Sequence, residues 1–352
     1  MRSFEKTGFG TTVKGKEIAQ FILKNANGME LRVIEYGGII THLFVPDHSG
    51  NIDDVVLGHD TLTEYEQSTF FFGALIGRYG NRIANGGFLL DGKEFELEQN
   101  DGTNCLHGGS SGFHNRAWKG EQIHTELGVA LLLKYHSPDG EGGFPGAVDI
   151  EVSYLLTDDN ALEIEYKATS SKKTILNLTQ HTYFNLSGMN EDILAHHLTI
   201  NAHTFVPVDE RSIPLDSFAD VADTPFDFTS PKQIGKDINT EHPQVKVGSG
   251  YDHTFIVQAE GNELLSIAKV FHPTSGRTME VLTTEPGVQL YTGNFLENSP
   301  KGKGGLANNY RFGLCLETQH YPDSPNRPDF PSTIVEAGEE YFTKTVYRFG
   351  VK

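Results

Sequence analysis

Cysteine is nearly absent: the 352 residues contain two, Cys105 and Cys315. That is too few for a disulfide scaffold or a paired-cysteine zinc motif, and it points to a reduced, cytoplasmic protein. Positive charge is also scarce. Twenty-eight Lys and Arg face 47 Asp and Glu, a net charge of −19, which argues against nucleic acid or an anionic membrane as partner. A highly phosphorylated ligand would need a local basic pocket. No apolar run approaches the ~18 residues of a membrane span. The start, Met1-Arg2-Ser3-Phe4-Glu5-Lys6, has no apolar stretch behind it, so no signal peptide is expected. Helical periodicity is missing too: no 3.6-residue apolar stripe persists for a dozen or so residues.

Period-2 alternation is abundant instead. Val148, Ile150, Val152, Tyr154 and Leu156 interleave with Asp149, Glu151 and Ser153. A turn cluster, Thr157-Asp158-Asp159-Asn160, follows, and then Leu162, Ile164, Tyr166 and Ala168 alternate with Glu163, Glu165 and Lys167. This predicts a hairpin with one core face and one wet face. Asp91-Gly92-Lys93 leads into a second half-buried strand carrying Phe95 and Leu97, and the apolar stretch 128–135 predicts a strand covered on both faces. Thirty-eight glycines punctuate the chain, and no low-complexity linker divides it. The expectation is an all-β protein, a large antiparallel β-sandwich forming a single domain over 1–352. Long loops are expected at 139–146, 298–309 and 322–331, the last spaced by Pro322, Pro325, Pro328 and Pro331 and so excluded from any central strand. It either walls a cleft or crosses the surface.

One strand carries a misfit. In Phe312-Gly313-Leu314-Cys315-Leu316-Glu317-Thr318-Gln319, alternation puts Phe312, Leu314 and Leu316 on one face and Gly313, Cys315, Glu317 and Gln319 on the other. A buried, unpaired carboxylate costs several kcal/mol, comparable to the net stability of a domain. Glu317 therefore has a buried cationic partner, works as an acid or base, or lies on an edge strand in water. Three other segments concentrate polar chemistry in the same way. His107 shares its predicted strand face with Cys105 and precedes two glycines. His181 shares a face with Thr179, Tyr183 and Asn185. Asp252 stands between Tyr251 and His253, where closing a turn after Gly248-Ser249-Gly250 is the alternative. Asn81-Arg82 closes a glycine-rich stretch that has neither Walker nor Rossmann spacing. Fifteen histidines are present, without an HExxH or paired Cys/His spacing.

In order along the chain, Gly77-Arg78-Tyr79-Gly80-Asn81-Arg82-Ile83, Leu106-His107-Gly108-Gly109, Gln180-His181-Thr182-Tyr183-Phe184-Asn185-Leu186, Tyr251-Asp252-His253 and Leu316-Glu317-Thr318-Gln319 resemble the aldose 1-epimerase (galactose mutarotase) family. Ser137-Pro138-Asp139-Gly140 and Tyr321-Pro322-Asp323-Ser324-Pro325-Asn326 resemble it as well, and the likeness runs from near residue 30 to the C-terminus. A small departure is Ala337-Gly338-Glu339, where the family pattern has Pro-Gly-Glu. The resemblance implies a many-stranded β-sandwich with an open cleft for a free monosaccharide, acting as monomer or homodimer without cofactor or metal. It implies Glu317 as general base and His181 as general acid. His107 would assist on the acid side, and Asn81, Arg82 and Asp252 would hold sugar hydroxyls.

Those residue types suit the chemistry. Opening a pyranose takes a proton from the C1 hydroxyl and gives one to the ring oxygen. Rotation about C1–C2 and reclosure yield the other anomer. A carboxylate is a suitable base and an imidazolium a suitable acid near neutral pH, and a nearby acid such as Asp252 is expected to keep His181 protonated. On this reading Cys105, Gly313 and Cys315 are small to leave room for the sugar, Tyr183 and Phe295 wall the cleft, and Phe184 is core. Rival readings are a glycoside hydrolase using Asp252 with Glu317, a lectin-like binding module, and an epimerase of a phosphorylated hexose, which requires a cluster of Arg or Lys at the cleft.

Overall fold

The computed structural model describes residues 2–257, 263–299, 301–306 and 308–352. Strands Val148–Leu156 and Ala161–Ser170 form the expected hairpin, with Leu156 opposite Leu162 and Asn160 at φ +63° in the turn. All nine alternating apolar residues named for it are buried. The hairpin lies inside a nine-stranded antiparallel sheet, in the order Lys119–Thr125, Gly128–Ser137, Val148–Leu156, Ala161–Ser170, Glu340–Val351, Arg277–Thr283, Leu265–Phe271, His197–Ile200 and Lys232–Gln233. Two five-stranded antiparallel sheets complete the bulk. The first runs in chain order through Ser3–Thr11, Glu17–Lys24, Glu30–Ile34, Ile40–Pro46 and Ile52–Asp54. The second is ordered Ala219–Asp220, Thr204–Phe205, Asp252–Ile256, Gly287–Tyr291 and Cys315–Gln319.

The main apolar cluster takes side chains from all three sheets, among them Phe21 and Val45, Ile150 and Tyr166, and Phe255 and Leu316. Each such side chain contributes roughly 1.5–3 kcal/mol on burial. Arg277, fully buried in the large sheet, donates to the carbonyls of Val45 and Leu186 and pairs with Asp53 at 2.5 Å, tying that sheet to the N-terminal one. Among the described residues α-helix is confined to Leu62–Gln67 and Pro243–Val247, with only single 3₁₀ turns elsewhere, in keeping with the missing 3.6-residue stripe. No helix among the described residues is long and apolar enough to cross a membrane.

Some local expectations change. Strand Gly128–Ser137 is buried at Ala130, Leu131 and Leu133 but not at Leu132. It lies one strand in from the sheet edge, so it is not covered on both faces. Strands Gly87–Leu90 and Lys93–Glu96 form a hairpin whose turn residues Asp91 and Gly92 both have positive φ, the geometry that favours Asp-Gly. The loop 139–146 gives Arg78 two of its acceptors, the carbonyls of Pro145 and Gly146, and Ser137 and Pro138 just before it supply others. The proline-spaced loop contains no long strand and packs behind Arg82, whose carbonyl accepts from Asp323 N–H at 2.8 Å. Within 298–309, Lys303 is buried and ion-paired with Asp54. Residues 300 and 307 of that loop lie outside the described residues, and so does the question of closure over a ligand.

Candidate active site

Strand Cys315–Gln319 ends the second five-stranded sheet, pairing on one side with Gly287–Tyr291. An edge position would ordinarily expose Glu317, yet the whole strand is buried and Glu317 is 2% exposed. The segment holding His181 lies against it: Phe184 bridges to Leu314, and His181 Nε2 is 3.7 Å from Glu317 Oε1. Leu314 and Leu316 point into the main core as alternation predicts. Phe312 does not. It precedes the strand, just after the turn at Arg311 (φ +58°), and is partly buried against the separate cluster containing Tyr183 and Cys315.

Beside Glu317 lies a cavity of about 190 Å³ lined by Thr69, Phe70, Phe71, Asn81, Arg82, Leu106, His107, His181, Tyr183, Asp252, Tyr291, Phe295 and Glu317. The six residues singled out in the sequence, Asn81, Arg82, His107, His181, Asp252 and Glu317, thus meet in one place from five segments far apart in the chain. Asp252 begins a strand rather than closing a turn, and its Oδ1 accepts from Gln289 Nε2 at 2.7 Å. Gln289 in turn accepts from Thr254 at 2.5 Å, so the orientation of its amide is fixed. Arg82 pairs with Asp101 at 2.7 Å. Asn81 takes a left-handed φ of +65°, a conformation Asn tolerates better than most residues. In that pose its N–H donates to His107 Nδ1 at 3.1 Å.

His107 is not on a strand. The pairing ends at Leu106, and His107, Gly108 and Gly109 all have positive φ. The chain turns there, so Cys105 faces a different apolar cluster, with Tyr79 and Ile83, and leaves no room in the cavity. Gly313 is not cleft space either. A Cβ there would come within 2.7 Å of Leu57 and 2.9 Å of Tyr183 Cβ, so packing is what requires the glycine. Cys315 lies beneath the cavity, with Sγ 3.5 Å from His181 Nδ1. Asn185 serves the backbone, donating to the carbonyls of Glu191 and Phe312. Tyr183 and Phe295 do line the cavity, and Phe184 is core.

Burial dominates the electrostatics. It pushes the Glu317 carboxyl well above the usual range, with the Asp252 charge adding to the shift and Arg82 opposing it. Burial raises Asp252 as well, against Arg82 and the Gln289 hydrogen bond. His181 is pushed down to about 3 and His107 well below its ordinary value, both chiefly by burial. The support that Asp252 was expected to give a protonated His181 does not emerge: desolvation lowers the ring, and no acid is among the groups that raise it. Glu317 Oε2 is buried with no hydrogen-bond partner among the described residues, an acceptor left for a ligand.

Phe71 and Gln289 were missed in the sequence. Phe71, at φ +56°, packs its ring 4.8 Å from His107 and 5.7 Å from His181. The run Phe70-Phe71-Phe72 before Gly73 was the available signal for it. Gln289 had none, since its value comes from lying opposite Thr254 and Glu317 on neighbouring strands.

Residues 19–348 match the family described as aldose 1-epimerase. The chain belongs to that family. Galactose mutarotase of Bos taurus is 41% identical over 352 residues, covering all of both chains. Aldose 1-epimerase of Escherichia coli K12 is 38% identical over 337 residues, covering 95% of this chain and 96% of its own. Among solved structures, galactose 1-epimerase of Lactobacillus acidophilus NCFM matches with a TM-score of 0.86 at 26% identity, covering 100% of this chain and 99% of that one. The all-β sandwich is thus the fold of this family.

Proposed function

We infer that this protein is an aldose 1-epimerase, an isomerase that interconverts the α and β anomers of free hexoses by opening and reclosing the ring. The observation that carries the reading is a buried carboxyl and a buried imidazole 3.7 Å apart in the wall of a small cavity. About 190 Å³ is the volume of roughly six water molecules at ~30 Å³ each, below the ~300 Å³ typical of drug-sized pockets. That suits one monosaccharide.

In the proposed mechanism Glu317 takes the C1 hydroxyl proton and His181 gives one to the ring oxygen. Rotation about C1–C2 then presents the other carbonyl face, and the transfers reverse. Burial favours the neutral form of each group, the protonated Glu317 carboxyl and the unprotonated His181 ring. Moving that proton to His181 creates the carboxylate–imidazolium pair without changing the total, so the two groups act as one coupled unit. Positioned acid–base groups each contribute ~10²–10⁴-fold. Asn81, Arg82 and Asp252 are read as hydroxyl-binding groups and His107 as a donor near the ring oxygen.

The rivals fare less well on the same residues. Arg82 is the only cation among the lining residues and already faces Asp101, so a phosphate has no free basic cluster. A histidine, not a second acid, stands beside Glu317, which disfavours the two-carboxylate hydrolase. Polarimetry on freshly dissolved pure anomers of hexoses, pentoses and hexose phosphates tests the reading. Acceleration of the free hexoses is expected. Acceleration confined to the phosphates would transfer the assignment to a phosphosugar epimerase, and binding of sugars without acceleration would make the protein a lectin-like module.

A further inference from the structure

Burial favours the neutral ring at both histidines of the site, and their Nδ1 atoms lie in different surroundings. His107 Nδ1 meets a donor, the backbone N–H of Asn81, at 3.1 Å. A ring nitrogen that accepts a hydrogen bond carries no proton, so neutral His107 holds its proton on Nε2. The arrangement is rigid. Asn81 is fixed in the left-handed region, its carbonyl accepts from His107 N–H at 3.1 Å, and its side-chain oxygen accepts from Arg82 N–H at 2.9 Å. His181 Nδ1 instead meets Cys315 Sγ at 3.5 Å, while its Nε2 lies 3.7 Å from Glu317 Oε1, the position from which a bare ring nitrogen takes a proton.

Resting on the epimerase reading, we propose that the two histidines are locked in opposite tautomers: His107 as a fixed Nε2–H donor that never exchanges its proton, and His181 as an Nδ1–H ring whose bare Nε2 carries the proton to and from Glu317. Cys315 is then a positioning residue. It holds the Nδ1–H of His181 and so keeps Nε2 turned toward Glu317. The protons balance at each step: Glu317 gives its proton to His181 Nε2, His181 gives it to the ring oxygen, and Glu317 takes the C1 hydroxyl proton. The Nδ1 proton of His181 and the Nε2 proton of His107 stay in place throughout.

The same lock bears on a second property of the site. His107, His181 and Glu317 offer ligand atoms within 4.8 Å of one another, a His₂Glu set of the kind that binds zinc. Coordination through His107 Nε2 would require the proton on Nδ1, where the Asn81 N–H already points. The tautomer that makes His107 a donor to sugar therefore opposes metal capture.

Long-range ¹H–¹⁵N correlation spectra of histidine-labelled protein, recorded without sugar, read the tautomers whatever the enzyme's substrate. Nε2–H at His107 and Nδ1–H at His181 are expected. The same tautomer at both rings, or Nδ1–H at His107, overturns the proposal. Two variants separate positioning from packing. Cys315→Ala should lower kcat by about 2- to 10-fold, the worth of one hydrogen bond, with KM unchanged and mixed tautomers at His181. Cys315→Ser, which restores an acceptor, should recover most of the rate and a single tautomer. If Cys315→Ala left the His181 spectrum unchanged, or Cys315→Ser failed to restore it, Cys315 would have no positioning role.

Discussion

In the proposed mechanism Glu317 and His181 share the one proton that moves between them, and activity follows that proton. Gaining a second inactivates the base, and losing the only one removes the acid. Because burial lowers His181 to about 3 and raises Glu317, the acid limb of kcat/KM should fall well below the ordinary imidazole value of about 6.5. The alkaline limb should fall well above the carboxylate range, giving a bell with a broad top. An acid limb near 6.5 would mean that the imidazole titrates as if exposed. His181→Asn should cost ~10²–10⁴-fold in kcat, while Asp252→Ala should act mainly on KM. Both are read by polarimetry across sugar concentrations. These residues stood out as candidates because each lies in a short segment rich in polar and small residues, and the resemblance of those segments, in order, to the family implied their roles. Their protonation was not legible, because desolvation depends on walls such as Phe71 and Tyr183 that arrive from elsewhere in the chain.

At the scale of elements, the Glu317 strand shows both the reach and the limit of alternation. Period 2 placed Leu314 and Leu316 in the core and Glu317 on the opposite face. It misplaced Phe312, which lies beyond the strand, and it credited Gly313 with making space for a sugar. The close approach of Leu57 and Tyr183 gives Gly313 a packing role instead. Gly313→Ala should therefore destabilise the fold by ~1–3 kcal/mol through overpacking, measured by chemical denaturation. A rise in KM with stability unchanged would restore the cleft reading. The long, alternating hairpin 148–170 was legible almost residue by residue, because both strands lie inside one sheet. The two-residue strand Cys105–Leu106 was not, since its end is set by the left-handed turn through His107 and the glycines.

Across the whole molecule, the site is assembled where the second five-stranded sheet meets the segments around Asn81, His107 and His181, and long-range ties hold the parts together. Lys303, from the loop beyond Phe295, is buried against Asp54 of the N-terminal sheet and donates to the Thr41 carbonyl at 2.7 Å. Removing one partner of a buried pair costs about 3–5 kcal/mol, whereas replacing both costs far less. Lys303→Met should lose about that much stability, and adding Asp54→Asn should recover part of it. With a core shared by all three sheets, a single unfolding transition is expected, and two separable transitions would divide the chain into domains. Net charge and the scarcity of cysteine argued against some classes of partner but said nothing of this assembly, because pairings such as Lys303 with Asp54 leave no mark at any spacing in the sequence. The most direct test of the whole is polarimetry of pure α-D-galactose and α-D-glucose with wild-type protein and Glu317→Gln, alongside calorimetric sugar binding. Wild type should speed the approach to anomeric equilibrium, and Glu317→Gln should retain binding while losing at least ~10²-fold in rate. A variant within tenfold of wild type would show that Glu317 is not the base.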